Sequence, residues 1–162
     1  MKLYSAIAAG AALALASGAL AEAHEEEAAM PSPHYEFAGT MQDVEVVGGI
    51  GDAYAASWTE TLTIGQGELS TEVTSKCAGM DQPDGSLFDR HFTCSQESTS
   101  GATGVVLFGC NVPEETSSVM SCYGYFEGKS GDVEGHAALE TAFYTFGSEG
   151  TGTIVGSGQW IK

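Results

Sequence analysis

The chain has 162 residues, 22 acidic side chains against five basic ones, and a formal net charge of −17. That balance excludes nucleic acid and anionic membrane surfaces as partners, since both are bound through clusters of Lys and Arg. Four cysteines, 22 glycines and no long helical period point to a small β domain rather than a helical enzyme.

Residues 1–21 read as a secretory signal peptide. Lys2 precedes the run LYSAIAAGAALALASGAL, which ends in the small-residue site Ala19-Leu20-Ala21. A transmembrane anchor is the rival reading, but the run is Ala-rich and EAHEEE follows it where a positive flank belongs. Cleavage after Ala21 is preferred, with Ala23 as a second register. No integral membrane segment remains after cleavage. The expected location is the periplasm or outside the cell, where disulfides persist.

Residues 22–33, EAHEEEAAMPSP, form an acidic arm, too polar to pack. Cleavage after Ala21 would put His24 third from a free amine, an arrangement suited to square-planar copper or nickel. The acidic side chains elsewhere are scattered and lack calcium-loop spacing, so solubility is their plain explanation.

From residue 34 to 162 the pattern is β throughout. HYEFAGTMQDVEVV, AYAASWTETLTI and GELSTEVTSKC alternate between apolar and polar positions. Gly48–Asp52 and Gly65–Gly67 separate them as hairpin loops do. SLFDRHFTC, TGVVLFGC, MSCYGYF, VEGHAALETAFYTF and TIVGSGQWI complete eight strands. The predicted fold is all-β, one eight-stranded antiparallel barrel joined as an up-and-down meander, with a β-sandwich as the alternative. A closed barrel of this size has no edges and room for side chains or one small ligand.

Four cysteines allow three connectivities. Cys77 and Cys94 flank the turn formers of DQPDGS, and Cys110 and Cys122 flank NVPEETSS. Cross-strand partners in a hairpin already lie near bridging distance, so Cys77–Cys94 and Cys110–Cys122 are preferred. A zinc site is the rival, but no CxxC pair is present.

Strand phasing places Tyr54, Ala56, Trp58, Glu60, Leu62 and Ile64 on one face of the second strand. Phe88, Arg90, Phe92 and Cys94 share a face two strands on. Glu60 and Arg90 are thus lone charges among apolar residues, and each needs a partner if buried. Pairing with one another is the expectation. His136 and Glu140 share a face at a spacing of four, and a His beside a carboxylate can act as a general base. His91 falls opposite Arg90 and is expected to face solvent. Candidate cavity residues are therefore Tyr54, Trp58, Glu60, Phe88, Arg90, Phe92, His136 and Glu140.

The succession KCAG, PDGS, FTC, then a glycine-rich strand and a closing FGSEGTGTIVGSGQW, resembles bacterial relatives of the allene oxide cyclase and dirigent barrels. The likeness runs over about residues 35–161. It implies a barrel with an apolar cavity, in a family whose members steer a reactive intermediate or simply hold a ligand. No catalytic residue carries over from it.

No GxSxG elbow, HExxH, phosphate loop or dinucleotide fingerprint occurs, and nothing calls for a cofactor. Oxidised cysteines would leave no thiol nucleophile. The expected function is non-enzymatic binding of a small apolar ligand or a partner surface. The alternative is a cofactor-free isomerase or cyclase using Glu60, Arg90, His136 or Glu140.

Overall fold

A computed structural model of the chain describes residues 33–48, 54–113 and 118–162. The expected signal peptide, nearly all of the expected acidic arm and the candidate metal ligand His24 lie outside the described residues. Eight strands follow one another: β1 (His34–Gly48), β2 (Tyr54–Gln66), β3 (Leu69–Asp81), β4 (Arg90–Ser98), β5 (Thr103–Asn111), β6 (Val119–Ser130), β7 (Ala137–Phe146) and β8 (Gly152–Trp160). Each pairs antiparallel with the next, and β1 pairs with β8, closing the barrel. The meander expected from the sequence is what forms.

Two predicted strands begin later than their apolar runs suggest. SLFD stays in the loop before β4, and VEGH becomes a turn with one 3-10 segment, Gly131–Val133. In both cases turn chemistry wins over periodicity. Gly85, Gly131 and Gly135 all have positive φ, which breaks the strand where a side chain would strain it.

Both expected disulfides are present. Cys77 lies directly opposite Cys94, and Cys110 directly opposite Cys122. Their Cα–Cα separations are 4.0 and 4.1 Å, and all four residues face the interior. Each bridge closes a short loop, which on the chain-entropy model stabilises the fold by about 3 kcal/mol.

The barrel is filled at its waist. Phe92 packs edge-on against Trp58 and Tyr144, with centroids 5.0 and 5.2 Å away, and lies 5.2 Å from Phe108. Glycine makes the fit possible along β8. A Cβ on Gly156 or Gly158 would lie 2.2 or 2.0 Å from the rings of Phe37 and Tyr35. Both residues are therefore bare so that the two β1 rings can lie flat across β8. This gives the closing GSGQW segment a packing reason.

Outside, Leu107, Tyr125 and Leu139 stand side by side across β5, β6 and β7, all exposed. The neighbouring Tyr123 and Phe143 extend this apolar row.

Candidate functional site

The filled waist leaves a cup at each end of the barrel. One, of about 340 Å³, opens at the end of the barrel where β1, β3 and β7 finish. Its walls include Met41, Val44, Trp58, Phe92, Met120 and Phe146. Tyr54, Arg90 and His91 stand at the same mouth. The other cup, of about 230 Å³, opens among the β2–β3, β4–β5 and β6–β7 connections. Tyr35, Phe126, Asp132, Glu140 and Trp160 line it together with hydroxyl and amide side chains from β3 and β4.

Alternation along β2 is as expected: Trp58, Glu60 and Leu62 all point inward and are buried. Glu60 is only 1% exposed. Its partner is not Arg90. Trp58 Nε1 donates to Glu60 Oε1 at 2.7 Å. Tyr144 and Ser75 turn their hydroxyls toward the same carboxylate. Ser75, directly across the ladder from Glu60, is buried without a well-formed hydrogen bond to any neighbour. Burial pushes the Glu60 carboxyl up from its ordinary pKa, and the Trp58 and Tyr144 donors pull only part of the way back.

Arg90 is the first residue of β4, at the barrel's mouth, whereas Glu60 lies in the middle of β2. Phasing put both on an inner face but not at the same height. Arg90 instead meets its own cross-strand partner: Nε donates to Asp81 Oδ1 at 3.0 Å. Its guanidinium also lies 4.8 Å from the Tyr54 ring centroid. Phe88 too departs from expectation. It precedes β4 and packs on the outside, over Gly109 and edge-on to His91, which is half-buried beneath it.

His136 and Glu140 do not form a pair. His136 sits in the turn before β7, half-buried, with Nδ1 3.1 Å from the Lys162 carbonyl oxygen and its ring 6.1 Å from that of Trp160. Glu140 points inward at 5% exposure, and its partner is Tyr35, whose hydroxyl donates to Oε1. Gly158 pairs with both residues across β8, and its missing side chain brings them into reach. Burial drives the Glu140 carboxyl up to about 7. The Tyr35 donor opposes that rise, and the Glu60 charge adds to it. Both inner tyrosines, Tyr35 and Tyr144, are pushed upward by burial and the nearby carboxylates, so they remain neutral donors.

Sequence reasoning missed Tyr35, Tyr144, Ser75 and Trp160. Tyr144 lies four residues after Glu140 and shares its inner face of β7, a readable sign. Tyr35 and Glu140 are 105 residues apart, beyond the reach of any local pattern.

The Sγ atoms of Cys77 and Cys94 lie within 4.8 Å of each other and of a Glu60 oxygen. The sulfurs are bonded together, so no thiolate is available there as a metal ligand. No family model, no curated protein and no solved structure matches the chain.

Proposed function

We propose that the protein is an exported, disulfide-bonded barrel that binds a small, uncharged apolar ligand in the cup beside Arg90. One observation carries this reading: the filled waist leaves open a concave space of about 340 Å³ walled by thioether and aromatic side chains. That volume and lining match small-molecule pockets, which start near about 300 Å³. Methionine walls adapt to irregular apolar shapes. Arg90 is already neutralised by Asp81, so the cup offers little to a free carboxylate. The resemblance to allene oxide cyclase and dirigent barrels favours the same reading, since those folds hold apolar molecules.

The cofactor-free isomerase remains the second reading, and the raised carboxyl of Glu140 inside a cavity is what favours it. It ranks lower because Glu60 is walled into the waist, and Arg90 and His136 stand away from both carboxylates. A partner surface has its own support in the exposed Leu107–Tyr125–Leu139 row.

The test uses N-phenyl-1-naphthylamine, a neutral apolar fluorophore. Ala56, half-buried in the apolar cup, is replaced by Trp to fill it. Saturable binding to the parent, weakened at least tenfold by Ala56→Trp with the near-UV circular dichroism retained, supports the assignment. Equal binding by both proteins overturns it.

A further inference from the structure

The opposite cup has a different chemistry. Three aromatic rings, Tyr35, Phe126 and Trp160, wall it, with Trp160 centred 5.1 Å from Tyr35 and 5.8 Å from Phe126. Two carboxyls join them, Glu140 at the floor and Asp132 from the exposed turn before β7. Among the described residues no Lys or Arg lines this space. Among the described residues no cation pairs with Glu140; its hydrogen bond comes from the neutral Tyr35.

Each of these features leaves something unsatisfied. A buried carboxyl without a countercharge is costly and holds a proton instead. Aromatic faces attract a cation within about 6 Å of the ring centroid, most strongly for Trp. One solute would answer both: a cation with an apolar surface.

We propose that the Glu140 cup binds a small organic ammonium ion. Glu140 supplies the countercharge, and Tyr35, Phe126 and Trp160 supply the aromatic wall. Asp132 raises the local cation concentration at the rim. The volume of about 230 Å³ restricts the ligand to a few heavy atoms. This site is independent of the apolar cup, which lies beyond the waist.

Binding releases a proton wherever Glu140 is protonated beforehand, so affinity rises with pH. The groups facing Glu140 are Tyr35 on β1, Glu60 on β2 and Tyr144 on β7, with Asp132 and His136 at the rim. The tyrosines stay neutral across the range, and Glu60 titrates in the same direction as Glu140.

Isothermal titration of the full, disulfide-intact protein with choline, and with its neutral carbon isostere 3,3-dimethylbutan-1-ol, tests the assignment. Choline is expected to bind at least tenfold more tightly than the isostere at pH 8, and to weaken at least tenfold at pH 5.5. Glu140→Gln should lose at least tenfold. Glu45→Gln, an exposed acid on β1, should change nothing and so controls for attraction to the acidic surface. Should Glu140→Gln fail to fold, Asp132→Asn in the exposed turn should weaken choline about threefold. No binding at millimolar choline overturns the proposal. So does equal binding of the isostere, or full retention of affinity in either acidic-cup variant.

Discussion

The same eight strands build both cups, yet one is walled by methionine and phenylalanine with a neutralised arginine at its lip. The other holds a buried carboxyl among tyrosine, tryptophan and hydroxyl groups. Arg90 is satisfied at the surface by a residue directly across its ladder. Glu140 is 105 residues from its donor and is satisfied only when the barrel has closed. A charge at a strand end finds a local partner and costs little. One in the middle of a strand depends on the whole fold, and its proton affinity reports that dependence.

The largest expected effect concerns that proton affinity. Glu140 is raised to about 7 in the folded barrel, so the native state holds a proton that the unfolded chain gives up near its ordinary value of 4.5. Stability from this group is therefore fully present below about pH 4.5 and is lost as pH rises through 7. The difference between pH 4.5 and pH 8 should reach about 3 kcal/mol, with the barrel more stable on the acid side. Glu60, shifted in the same direction, adds to the trend. Denaturant midpoints across this range measure it, and Glu140→Gln should flatten the curve. A parent whose stability rises with pH would show Glu140 to be in water.

Next in size is the donor to Glu60. Trp58→Phe keeps the ring contact with Phe92 but removes the N–H that Glu60 accepts. Leaving a buried acceptor short of its donor should cost about 1–3 kcal/mol in chemical denaturation. A loss below about 0.5 kcal/mol would place water beside Glu60 and open the waist between the two cups.

By contrast, Arg90→Met should cost well under about 1 kcal/mol, since the Arg90–Asp81 pair is partly exposed and screened. The smallest effect is a null one. A double-mutant cycle of Glu60→Gln with Arg90→Met should give a coupling near zero, within about 0.5 kcal/mol. A coupling of several kcal/mol would restore the direct ion pair and erase the distinction between the two ends.

That ion pair shows where sequence reading stops. Alternation assigns each residue to a face, and it placed Trp58, Glu60, Phe92 and Glu140 inside correctly. Both disulfides were legible too, because hairpin partners are close in sequence and flank obvious turns. Height along the barrel axis was not legible. It depends on strand stagger, which separates Arg90 from Glu60, and on where turns interrupt apolar runs, which moves Phe88 outside and His136 to the rim. Tyr35 needed one further fact, that a glycine in β8 leaves room for its ring.

The seam between β1 and β8 has a consequence for assembly. Both covalent bridges lie within β3–β6, where each can form as soon as its own hairpin does. The free edge of β1 has no partner until the last strand, and neither does that of β7. A chain cut before Gly152 would thus carry two open edges on an otherwise stapled body. Exposed edges recruit strands from other molecules, and the simplest remedy open to such a chain is to borrow its eighth strand from an intact copy.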